Sequence, residues 1–236
     1  MKNIKRIIPA VLLLLIFSYH AEAQYVRSLN IGWTYGHMFK PLSNLEIPLY
    51  QFNQLNPDIE KPYDMPEFFR GLYIDWRIGG PRSGMILGWN NKHVVARAKG
   101  IATGSGETEY NLRNVKARLN TFSFGFYFSL YKRLKMGITF DIGSFKVKKK
   151  IGPESSFNNA SWEKMYDTKG NIVEGLTVNI SYPLKITERI ALRIQPYAQG
   201  LLFYKYPTLT DTYTNTYYYQ ISNFGVNAFI SFMKMK

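Results

Sequence analysis

"FSFGFYF", residues 122–128, sets Phe122, Phe124, Phe126 and Phe128 at every second position and fills the gaps with Ser123, Gly125 and Tyr127. "MGITFDIG", residues 136–143, repeats the pattern with Met136, Ile138, Phe140 and Ile142 after the short link "SLYKRLK". A period of two is strand geometry, because successive side chains point to opposite faces. Here one face is wholly apolar and the other carries glycine and hydroxyls. A sheet in water buries its apolar face and shows charge outside. Which solvent the phenylalanines meet therefore decides the fold.

The same alternation recurs at about 28–39, 67–79, 84–98, 111–130, 135–148, 171–183, 189–205 and 216–233. Leu29, Ile31, Trp33 and Tyr35 alternate with Asn30, Gly32, Thr34 and Gly36; Leu72, Ile74, Trp76 and Ile78 alternate with Gly71, Tyr73, Asp75 and Arg77. Three connections are tight: "GGPRSG" at 79–84, "YKRL" at 131–134 and "LKITER" at 184–189. They alternate with long ones at 40–66, about 99–110, 149–170 and 206–215. This rhythm is the layout of an antiparallel meander in a membrane. An even number of strands puts both termini on the short-turn side.

The N-terminus supplies the address. Lys2, Lys5 and Arg6 precede an apolar stretch from Ile7 to Phe17, and Ala21-Glu22-Ala23 fits a small-x-small cleavage site. Residues 1–23 are thus expected to be a cleaved signal peptide and 24–236 one domain. No cysteine follows for a disulfide or a thiolate metal site, and no later apolar run is long enough for a helical span. Aromatic residues are 16% of the chain, heavy for a soluble domain, and 30 basic residues face only 16 acidic ones.

In lipid every backbone polar group must be satisfied within the protein, so a sheet can span only as a closed barrel. The expected fold is all-β, an eight-stranded antiparallel up-and-down transmembrane β-barrel with the phenylalanines facing hydrocarbon. A secreted lipocalin-like barrel is the rival, but its outer face would carry Lys and Glu. The chain resembles the small eight-stranded outer-membrane barrels of the OmpA and OmpX kind over its whole mature length. The signal peptide, the loop rhythm and the final "NFGVNAFISF" (223–232) carry the resemblance; the last segment is similar to their C-terminal assembly signal, although "MKMK" follows it here. The resemblance implies a bacterial outer-membrane location, periplasmic termini and extracellular long loops. It also implies a chain that stops at the barrel, without the peptidoglycan-binding domain some relatives carry.

Three groups of residues are candidates for function. The inward parity supplies Asp75, Arg77, Asp141 and Arg193, which are expected to tie across a filled lumen; a narrow ion path is the alternative. On the outward parity the apolar run gives way to Lys146, Lys148 and Lys150 on one strand and to Arg118 and Lys116 on its neighbour, with Arg70 ending a third similarly. These are expected side by side just beyond the hydrocarbon, contacting lipopolysaccharide phosphates; a merely solvated rim is the alternative. The 40–66 loop carries Leu45, Ile47, Leu49, Tyr50 and Phe52, and either folds over the mouth or docks a partner.

His37 and His93 fall on the lipid-facing parity without a catalytic signature around them, and triads are recognised by geometry. No metal-ligand spacing, phosphate loop or nucleic-acid module appears, so no cofactor and no nucleic acid is expected. The sequence thus points to a non-enzymatic structural or interaction protein whose partners are outer-membrane lipids, lipopolysaccharide included. The alternatives are an accessory subunit bound to other outer-membrane proteins, a lipid-modifying enzyme and a narrow pore.

Overall fold

The computed structural model describes residues 26–38, 43–102, 109–131, 133–165, 172–204 and 218–235. The expected signal peptide lies outside them. In chain order the strands are β1 (Val26–Met38), β2 (Phe68–Gly79), β3 (Ser83–Gly100), β4 (Asn111–Tyr131), β5 (Leu134–Pro153), the two-residue β6 (Glu163–Lys164), β7 (Ile172–Lys185), β8 (Ile190–Tyr204) and β9 (Tyr218–Met235). Apart from β6, which only edges β5, each is antiparallel to the next, and β9 pairs with β1 to close an eight-stranded ring. Val26 and Met235 are register partners, so both ends of the ring's chain lie at the tight-turn end.

The registers fix the shape. Stepping straight across the strands from Arg27 leads through Ile78, Met85, Phe126, Ile138, Val178, Ala198 and Phe224 to His37, ten residues further along the starting strand. A shear of ten over eight strands tilts them by roughly 40° from the barrel axis, given strand rises of ~3.3 Å and spacings of ~4.8 Å. Each residue then climbs about 2.5 Å along the axis, and each row rises about 3 Å per strand from β1 towards β9. So small a ring crowds its backbone. A Cβ added to Gly125 would stand 2.0 Å from the Ile138 carbonyl oxygen of the neighbouring strand, which is why glycine interrupts the phenylalanine run.

The 40–66 connection holds a 13-residue helix, α1 (Ser43–Leu55), where the sequence suggests only a loop. Pro48 lies inside it, and a proline within a helical pattern ordinarily marks its end. The helix and the chain after it roof the long-loop end. Leu49 is 1% exposed and packs with Met38, Phe69, Val94, Ala96, Val115, Ala117, Leu119, Phe145 and Val147 in an apolar core above the lumen. Asn53 clamps the return chain by donating to the Tyr63 carbonyl oxygen at 3.0 Å and accepting from its N–H at 2.9 Å. Burial there pushes the Tyr63 phenol up to about 12, against the opposing charge of Arg113.

Candidate functional site

The outer wall has two zones. Around the tight-turn two-thirds of the ring the outward side chains are apolar and open: Trp33 is 52% and Phe122 50% exposed, with Trp76, Phe126, Ile138, Leu176, Ile194 and Ile230 in the same band. The band is roughly 20–25 Å tall by the axial rise per residue, matching the hydrocarbon height such barrels present. An apolar surface of that extent would be far outside the range of monomers in water.

Above it, on β2 to β5, the wall turns basic. Arg70, His93, Arg118 and Lys146 are direct cross-strand neighbours in one row. Val95, Lys116, Lys148 and Lys164 form the next, and Arg97, Asn114 and Lys150 the one beyond. The structure therefore brings all six sequence-selected cations onto one patch and adds His93, Arg97 and Lys164. The first two additions follow the same outward parity as Asn91 and could have been read from sequence. Lys164 arrives only through β6, a two-residue pairing with no sequence signature.

One expectation is corrected. The five cations of β4 and β5 do not stand at one height, because row and strand are both tilted. Arg70, His93 and Arg118 lie closest to the apolar band, while Lys150 sits roughly 20 Å above Arg70 by the same axial rise. The upper cations are also partly engaged. Lys150 Nζ donates to the Asn158 carbonyl oxygen at 3.2 Å and lies 4.8 Å from the Phe157 ring centre, and Lys116 Nζ is 5.9 Å from the Trp162 ring. Arg118 Nε donates to Asn91 Oδ1 at 3.1 Å. Among the described residues no carboxylate pairs with Arg70, Lys146 or Lys148.

Inside, the four sequence-selected charges do not form one network among the described residues. Arg77 pairs with Asp75 at 3.1 Å and donates to Ser181 Oγ and Gln195 Oε1, each at 3.1 Å. Arg193 Nε donates to Ser231 Oγ at 3.2 Å, Ser231 donates to Asn30, and Asn30 donates to Asp75. These make a layer near the tight-turn mouth. Asp141 belongs to a second layer nearer the long loops, accepting from Thr139, Thr177 and Gln199 Nε2. Its positive counterpart is Lys92, a residue outside the sequence-selected set. Lys92 is 1% exposed and donates to Tyr197 Oη at 2.8 Å, Asn223 Oδ1 at 3.0 Å and Gln199 Oε1 at 3.1 Å. Gly36 makes that cage possible, since a Cβ there would stand 2.3 Å from the Tyr197 hydroxyl. The alternation of "NNKHVVARAK" already turned Lys92 inward, but only the closed ring brings β8 and β9 to it.

Of the 40–66 residues, Leu49 is in the roof core and Phe52 packs against it with its ring 5.1 Å from Tyr63, while Tyr50 is exposed. Leu45 and Ile47 lie outside the residues whose side chains are described. His37 packs on the outer wall between Phe68 and Phe224, at 4.9 and 5.4 Å between ring centres. His93 stands among Lys116, Arg70 and Arg118.

A closed ring whose backbone is paired throughout, wrapped in an apolar band, defines a transmembrane β-barrel of the outer-membrane kind. Among the described residues no helix is long and apolar enough to cross a membrane. No protein-family model and no curated protein matches the chain. Solved structures are similar to it, the following two among them. Ail, the attachment invasion locus protein of Yersinia pestis in complex with the heparin analogue sucrose octasulfate, aligns with a TM-score of 0.41 and 11% identity, over 89% of this chain and 99% of that one. The outer membrane protease OmpT from Escherichia coli aligns with a TM-score of 0.34 and 9% identity, over 90% of this chain and 97% of that one.

Proposed function

We propose that this protein is a non-catalytic outer-membrane β-barrel whose wall, with its long loops extracellular, binds lipopolysaccharide. The observation that carries the reading is the basic patch. Cations in direct cross-strand register repel one another and destabilise a sheet unless something neutralises them. Here three of them have no carboxylate partner among the described residues, and the patch begins where the hydrocarbon band ends. Lipopolysaccharide offers acyl chains to the band and phosphates and acidic sugars to the charges, with Lys and Arg donating charge-assisted hydrogen bonds. The diagonal of the patch supports two tiers of contact. Arg70 and Arg118 face the phosphates nearest the acyl chains, and Lys116, Lys146, Lys148 and Lys150 face anionic groups further out.

The test is lipid retention. Changing Lys116, Arg118, Lys146, Lys148 and Lys150 together to Gln should lower the lipopolysaccharide that co-purifies with the detergent-extracted, heat-modifiable barrel. Raised salt should do the same to the unmodified protein, because exposed charges are screened over about 8 Å at physiological ionic strength. Unchanged retention in the fivefold variant leaves the patch a solvated rim.

A further inference from the structure

The tight-turn end of the lumen carries more positive charge than its partners neutralise. Three inward cations share one level there: Arg77, Arg193 and Lys135. Lys135 is the backbone partner of Ser181, whose hydroxyl accepts from Arg77. Arg193 is the partner of Pro183 on the other edge of the same strand. Lys135 and Arg193 thus flank β7 from two sides, about 10 Å apart at the backbone across two strand spacings. The inward residues between them, Ser181 and Pro183, are short. Two long side chains can therefore converge over them.

Two of these cations, Lys135 and Arg77, also face one ring. Lys135 Nζ lies 4.4 Å from the Tyr127 ring centre and the Arg77 guanidinium carbon 5.9 Å from it, and Tyr127 is held by donating to the Gly80 carbonyl oxygen at 3.1 Å. The only carboxylate near them among the described residues is Asp75, already engaged by Arg77 and Asn30. In the upper layer Lys92 and Asp141 balance; in the lower one the cations outnumber the anion three to one. Arg193 is 4% exposed, and its Nη1 has no hydrogen-bond partner among the described residues. A buried guanidinium donor left empty beside like charges is strongly unfavourable. Outside this level the tight turns add the exposed Arg82, Arg133, Lys185 and Arg189 against Glu188, a field that concentrates anions at the opening.

We propose that the tight-turn mouth of the barrel is a binding site for a small oxyanion of the phosphate class. Arg193 Nη1 and Lys135 Nζ donate to it, Arg77 supplies charge from behind, and Tyr127 forms the floor. The site is on the inner face at the end opposite the basic wall patch and does not depend on the lipopolysaccharide reading.

The experiment is calorimetric titration of the refolded full-length barrel in a neutral detergent with inorganic phosphate, beside the side-chain nitrogen NMR signal of Arg193. One saturable site is expected, with the Arg193 signal moving as it fills. Lys135→Gln, at a half-buried position that folding tolerates, should weaken binding at least tenfold, and Arg193→Gln should abolish it. The fivefold wall variant should bind phosphate unchanged. Absence of saturable binding overturns the site, as do a Lys135→Gln variant that binds like the parent, an Arg193 signal that phosphate leaves in place, and loss of binding in the wall variant alone.

Discussion

The lower and upper halves of β3, β4 and β5 follow the same alternation with opposite polarity. In the lower half of β4, Thr121, Ser123 and Tyr127 point into the ring and Phe122 to Phe128 point out. Two residues higher, Leu119, Ala117 and Val115 point in, and Arg118 and Lys116 point out. β5 does the same, with Asp141 in and Ile142 out below, and Phe145 and Val147 in with Lys146 and Lys148 out above. The backbone is continuous, so the reversal reports the solvent. Below it the outside is hydrocarbon and the apolar side chains serve it. Above it the outside is water and the apolar side chains retreat under α1. The edge of the membrane is written into β4 between Asn120 and Phe122.

The largest effect is expected at the buried charges of the lower half. Asp75→Ala leaves the Arg77 guanidinium without its counter-charge in the lumen, which should cost about 3–5 kcal/mol. Urea unfolding from lipid vesicles would read this as a large fall in midpoint, and an unshifted midpoint would show that the layer does not hold the ring together.

The upper core should respond differently. Leu49→Ala removes a fully buried side chain worth about 2–5 kcal/mol, but from the roof and not from the ring. Proteolysis within residues 43–66 should accelerate strongly while the unheated protein still migrates ahead of the boiled one. Loss of that migration difference would mean that roof and ring fold as one unit.

The outward face gives the paired test of the reversal. Phe124→Arg sets a charge near the middle of the apolar band and should cost about 2–4 kcal/mol in vesicles. Arg118→Phe, on the same parity of the same strand, should change stability by no more than about 0.5 kcal/mol, as for an exposed position. Equal effects from the two would place the boundary elsewhere.

The strands, their order and the choice of wall face were legible in the sequence because a period of two is local: Phe122 and Phe124 declare their shared face without reference to any other strand. The tight turns and the even strand number followed from spacing in the same way. The helix was not legible, since Pro48 argues against it and its stability comes from Leu49 and Phe52 finding the apolar inner faces of β3 and β4. The pairing of charges was not legible either. Periodicity could turn Asp141 and Lys92 inward, but Gln199 joins them only because β8 lies across the ring from β3, and Arg193 reaches Asp75 only through Ser231 and Asn30 once β9 closes on β1. Likewise the sequence grouped the wall cations, and the shear of ten spread them over height. Which face a residue occupies depends on its immediate neighbours along the chain; which residue it meets depends on closure of the ring, a long-range condition that local alternation does not encode.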